Sequence, residues 1–242
     1  MRVPFLQSGA FQRSEKVLLV MMASALGCIL LSLLFGALSA LFYVPGISAQ
    51  MVRVNISLVQ LRPLHLTFAS AWIFLGAAAG AYKYLFDRFG EPTAADMRRF
   101  RVQMTCWGVA GLGALVTLPL GITSGREYLG FHPAFSVLIW FGWLLFAWTF
   151  FSKVRRGFFA QPVYVYMWGV GILFFLWTFA EGHAYLLPSV SQHPVADLQI
   201  QWKSCGTLVA SFNQMVYGSL IYLAVRKTGD ERIGQSTAAF AL

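Results

Sequence analysis

His65 is the residue of this chain whose type and setting point most directly to chemistry. It lies in Leu61-Arg62-Pro63-Leu64-His65-Leu66-Thr67-Phe68-Ala69-Ser70, about one turn inside a long apolar run. An ionisable side chain inside a membrane helix is costly and marks a functional position by default. A neutral imidazole is also a ligand for heme iron. From the residue alone two readings stand: a histidine hydrogen-bonded to a neighbouring helix, or an axial ligand. Arg62, one turn earlier, favours the ligand reading, because a guanidinium at the membrane surface pairs a heme propionate bidentately. Its plainer reading is an interfacial arginine that reaches for water.

Three further stretches carry polar groups. Gly125-Arg126-Glu127-Tyr128-Leu129-Gly130-Phe131-His132-Pro133 offers Arg126 as a second propionate partner. Its Glu127 is a partner for Arg62 or an oxygen ligand for a hard cation such as calcium. The alternative is a solvated loop with an incidental ion pair. Trp177-Thr178-Phe179-Ala180-Glu181-Gly182-His183 ends an apolar run with His183, a candidate second axial ligand or an exposed loop histidine. Gln201 to Gln214 enters the last apolar run with a small, polar face, and Asn213 and Gln214 read as buried amides bonded across helices. Cysteines 28, 106 and 205 form no Cys-x-x-Cys, so neither a zinc ribbon nor covalent heme attachment is indicated. No Ser-His-Asp set, phosphate-cradling glycine loop or catalytic carboxylate pair is visible, nor are two histidines spaced for a metal on one helix.

The elements that must position these residues are membrane helices. Of 242 residues, 58% are hydrophobic and 11% charged, against about 25% charged in soluble domains. Runs near Val17–Tyr43, Leu64–Tyr82, Val102–Ile122, Ala134–Phe151, Val163–Phe179 and Gly206–Val225 are each long enough to cross a bilayer. In lipid they must be helical. The expected fold is an all-α, six-helix transmembrane bundle forming one membrane domain over residues 1–242. The first run resembles a signal peptide but is too long for a cleaved one, and reads as a retained span. Pro119 is expected to bend the third helix near its outer end. Gly76, Gly80 and Ala77-Ala78-Ala79 form a small face for close packing.

Fourteen of the eighteen Lys and Arg fall on one side: Arg2, Arg13 and Lys16 at the N-terminus, then the second-to-third loop, the fourth-to-fifth loop and the C-terminal tail. Only Arg53, Arg62, Arg126 and Lys203 lie opposite. The positive-inside rule places both termini in the cytoplasm. The net charge of +9 is then a matter of topology and anionic lipid rather than nucleic acid. His65 comes near the outer face, beside outer segments 44–63, 123–133 and 180–205, which hold the other histidines at 132, 183 and 193.

Arg62-Pro63-Leu64-His65, followed by a small-residue helix ending Gly80-Ala81-Tyr82-Lys83-Tyr84-Leu85, resembles the second helix of heme-copper oxidase subunit I. It is most similar to the nitric oxide reductase large subunit and the C-type cytochrome c oxidases. Gly125-Arg126-Glu127-Tyr128-Leu129 is similar to the reductase loop whose acid and base lie near heme propionates and a bound calcium. The resemblance implies a heme b held axially by His65, with Arg62 and Arg126 on its propionates and Glu127 on the calcium or propionate side; His183 stays a candidate second ligand from the residue reading alone. It covers the family's N-terminal half. The second heme ligand, the high-spin heme ligand and most non-heme metal ligands belong to the other half. No copper or non-heme iron site is therefore expected here, and no catalytic residue is assigned. The implied role is electron transfer in a respiratory complex of a bacterial inner membrane. Expected partners are a c-type cytochrome, another membrane subunit or a second copy. Two alternatives remain: half of a split oxygen or nitric oxide reductase completed by another chain, and a heme-free structural or assembly subunit.

Overall fold

The computed structural model describes residues 12–235; Arg2, part of the charge asymmetry, lies outside them. The described residues are all-helical, with no sheet. Eight α-helices follow in order: α1 Arg13–Leu41, α2 Pro45–Arg53, α3 Leu58–Phe89, α4 Ala94–Thr117, α5 Pro133–Val154, α6 Val163–Glu181, α7 Pro188–Ser191 and α8 Pro194–Thr228. Among the described residues, five helical segments are long and apolar enough to cross a membrane: α1, α3, α5, α6 with its following turn, and α8.

The third expected span differs from its expectation. It is a helix, but α4 starts eight residues earlier, and its first turns hold Asp96, Arg98, Arg99 and Arg101. That polar start lowers its average hydropathy below that of the other five. Its far end also differs. The α4 helix stops at Thr117, and Pro119 lies in the turn that follows, so the proline ends the helix region rather than bending it. Leu118 keeps helical backbone and donates to the Ala114 carbonyl, but Pro119 has no N–H to continue the ladder.

Helix ends follow local chemistry. Thr93 caps α4, accepting from the Asp96 amide at 3.2 Å while the Asp96 carboxylate accepts from the Thr93 amide at 2.9 Å, a reciprocal pair that satisfies two free donors. His132 caps α5 ahead of Pro133 at its first position. Gly229, with φ +72°, closes α8 in the left-handed region, where glycine carries no Cβ penalty.

The α3 helix is central. It packs along α1 and touches α4, α5 and α8, while α6 pairs with α8 and α4 with α5. Small residues permit the closest approaches. A Cβ on Gly80 would lie 2.6 Å from Ser219 Oγ of α8, and Ala77, Ala78 and Ala79 are buried. Gly76 has open space instead. Ser219 Oγ donates to the Ala77 carbonyl at 2.9 Å and accepts from Trp168 Nε1 at 3.1 Å, joining α3, α6 and α8. Aromatic rings fill the rest: Trp143 stacks on Phe175 at 4.2 Å, with Phe74 edge-on to both.

Candidate functional site

Pro63 lies within α3, two residues ahead of His65. The His65 ring faces α1, where two small residues a turn apart, Ser32 and Gly36, make room for it. His65 Nδ1 donates to the Ser32 carbonyl at 2.8 Å, and Ser32 Oγ lies 3.2 Å from the same nitrogen. The proton therefore sits on Nδ1. Nε2 has no hydrogen-bond partner among the described residues. An imidazole fixed by an Nδ1–H···O=C bond, with Nε2 left as a lone pair, is the state in which histidine ligates a metal. A Cβ on Gly36 would come within 2.8 Å of Nδ1 and 3.0 Å of Cε1, so the glycine is what lets the ring come this close to α1.

Arg62 and Arg126 are both committed to acids. Arg62 Nη2 reaches Glu127 at 2.8 Å across an exposed surface. Arg126 is more enclosed. Its two terminal nitrogens grip Asp197 at 2.9 and 2.8 Å, one also donates to Gln201 at 3.0 Å, and Tyr185 lies beneath the guanidinium plane at 4.4 Å. Lys203 pairs Glu181 at 2.7 Å. The Arg62–Glu127 and Arg126–Asp197 pairs tie the 123–131 loop to α3 and α8, and Lys203–Glu181 ties α8 to α6. The loop is folded on itself: Ser124 donates from its amide to the Gly130 carbonyl at 2.9 Å and from Oγ to the Leu129 carbonyl at 2.6 Å. Tyr128 holds φ +59° within it.

His183 is placed differently from His65. Nδ1 donates to the Phe179 carbonyl at 2.6 Å, and Nε2 accepts from Ser136 Oγ at 2.7 Å. Both ring nitrogens are in use, on α6 and α5, whereas His65 bonds α1. Among the described residues no three His, Cys, Asp or Glu side chains gather as a metal-binding group. A cavity of about 360 Å³ lies among α1, α3, α4, α5, α6 and α8, and His65 does not line it.

Several partners escaped the sequence reading. Ser32 and Gly36, four apart on one face of α1, are a small-residue pair of the kind that admits a close neighbour. Asp197, 71 positions from Arg126, left no local signal. Asn213, expected to be buried, is exposed, and the Gln214 Oε1 is buried without a partner among the described residues.

Over 142 residues, 58% of this chain, the sequence is 29% identical to the cbb3-type cytochrome c oxidase subunit CcoN1 of Stutzerimonas stutzeri. The chain is distantly similar to a heme-copper oxidase subunit I. That bears out the resemblance to heme-copper oxidase subunit I, as a distant and partial match. The matched region is 27% of that relative's length, so the chain spans about a quarter of it. No protein-family model matches the chain, and no solved structure matches it.

Proposed function

We propose that the chain is a six-span membrane subunit that holds one b-type heme through His65 Nε2 and serves electron transfer in a respiratory complex. The observation that carries this reading is the His65 geometry: Nδ1 anchored on the Ser32 carbonyl at 2.8 Å with Nε2 free. The residues fit the group at one axial position. Heme would supply reversible one-electron chemistry; the protein's part is to fix the ring, exclude lipid and neutralise the propionates. For the last task Arg62 is the more available, because its pair with Glu127 is exposed and an exposed pair holds weakly. Arg126 would have to share its guanidinium between Asp197 and a propionate. The second axial nitrogen would come from His183, after release of Ser136, or from another chain. Both termini would lie in the cytoplasm of a bacterial inner membrane, with His65 and the ionic cluster outward, facing a c-type cytochrome or a companion subunit.

A second reading is that residues beyond these 242 complete a reductase site with this chain, on a partner or a second copy. It is favoured by the free imidazole nitrogen and by the quarter-length match to an oxidase subunit.

The test is the reduced-minus-oxidised visible spectrum of purified protein expressed with ample heme, with a pyridine hemochrome assay and a His65→Ala control. Sharp b-type bands that vanish in the control are expected. A colourless wild-type protein would overturn the heme reading for the isolated chain and leave the structural subunit.

A further inference from the structure

The 360 Å³ cavity is separate from His65 and asks for an occupant of its own. Its volume is that of a small-molecule site. No acidic, basic or histidine side chain lines it among the described residues. Four hydroxyls do: Ser24 on α1, Thr67 and Ser70 on α3, and Tyr128 from the outer loop. None makes a hydrogen bond among the described residues. Elsewhere in these helices the hydroxyls of Ser39, Thr117, Thr149, Ser204, Thr207 and Ser219 each bond the carbonyl four residues back. The four cavity hydroxyls are therefore donors in need of acceptors, in surroundings where an unmet donor is costly. With no charged group in the wall, the matching acceptor is uncharged.

The walls specify shape. Trp107, Trp143, Phe74, Phe175, Phe179 and Phe131 face the space, and such rings favour offset or edge contacts with a flat ligand. The side between α1 and α4 is open. Gly27 and Gly108 are exposed there, Leu112 is 66% exposed, and Gly27, Gly108 and Gly111 each have nothing within 4 Å of where a Cβ would stand. That flank is where lipid would lie, so a tail can leave the cavity sideways into the bilayer.

We infer that this cavity binds a membrane-soluble molecule with a flat, uncharged, carbonyl-bearing ring and an apolar tail, the chemistry of a quinone, with Thr67, Ser70, Ser24 and Tyr128 donating to its carbonyls. The inference is independent of the heme reading.

The experiment titrates decylubiquinone into purified protein in nanodiscs of saturated phosphatidylcholine and follows tryptophan emission, since Trp107 and Trp143 line the site. Saturable quenching is expected. Gly111→Phe, which fills the mouth, should weaken it at least tenfold. The double variant Thr67→Val/Ser70→Ala, which keeps the shape and removes two donors, should weaken it about tenfold. Oleate at equal concentration should leave the curve in place. Quenching that rises linearly and equally in wild type and variants would overturn the site as mere partition. Saturable quenching displaced by oleate would overturn the ring and assign the space to an acyl chain. Circular dichroism checks the fold, and if Gly111→Phe does not fold the hydroxyl variant decides alone.

Discussion

At the scale of single residues, His65 depends on what α1 leaves out. Gly36 has no side chain, and the ring occupies that space. Gly36→Ala would push a methyl against Nδ1 and Cε1 and turn the ring away from the Ser32 carbonyl. Overpacking of this kind costs about 1–3 kcal/mol. Heme content per protein should fall several-fold while helicity is retained, measured by pyridine hemochrome and circular dichroism. Arg62 and Arg126 make a second comparison. Arg126 holds Asp197 with both terminal nitrogens in a setting where each side chain is about one-fifth exposed, whereas the Arg62 side chain is 62% exposed. A double-mutant cycle between Arg126→Ala and Asp197→Ala should give a coupling of about 1–3 kcal/mol. The same cycle for Arg62 and Glu127 should give under about 1 kcal/mol. Unfolding in mixed micelles reads both, and equal couplings would contradict the assignment of Arg126 as the structural tie. The sequence showed His65, Arg62, Arg126 and Glu127 as polar groups gathered at one end, because their types stand out against an apolar chain. It did not show that Arg126 is already satisfied, since its acid lies 71 positions away on another helix.

At the scale of elements, the helices were legible where lipid selects them and illegible where it does not. The apolar stretch Leu64–Tyr82 became α3 over Leu58–Phe89, and Gly206–Val225 became α8 over Pro194–Thr228. Hydropathy reports the bilayer's thickness. Helical hydrogen bonding continues past it wherever the flanks have a good start, as Pro194 at the first position and Asp197 in the first turn provide for α8. The 35 residues of α8 are about 52 Å long at 1.5 Å per residue, well beyond the roughly 30 Å hydrocarbon core. The extra length carries Asp197 and Gln201 up to Arg126. Deeper in the bundle the same helix is held by Ser219, which links Ala77 of α3 and Trp168 of α6. Ser219→Ala keeps the close approach at Gly80 but strands the Trp168 N–H in an apolar interior. A loss of about 1–3 kcal/mol is expected, read as earlier unfolding in mixed micelles. A neutral result would mean that small size alone, not the hydroxyl, joins the three helices.

At the scale of the whole molecule, the stance of α4 in the bilayer governs topology, because the number of crossings fixes which side every later segment faces. Its arginines at 98, 99 and 101 fall in the first two turns, and from Val102 to Thr117 no charged residue interrupts it. Those 16 residues span about 24 Å, somewhat short of a relaxed core, a mismatch that local thinning or arginine side chains reaching back to the interface can absorb. Packing along α5, a helix apolar enough to cross, favours a crossing orientation for α4 too. If it crosses, the basic clusters at its start and after α5 share one side, as the positive-inside rule requires, and the 123–131 loop lies with His65 on the other. Single cysteines at Arg98 and Gly121, in a background with residues 28, 106 and 205 changed to serine, distinguish the cases with a membrane-impermeant maleimide on intact spheroplasts. Labelling at position 121 and protection at 98 is expected. Equal labelling at both would contradict a crossing α4 and, with it, the placement of the 123–131 loop beside Arg62 and His65.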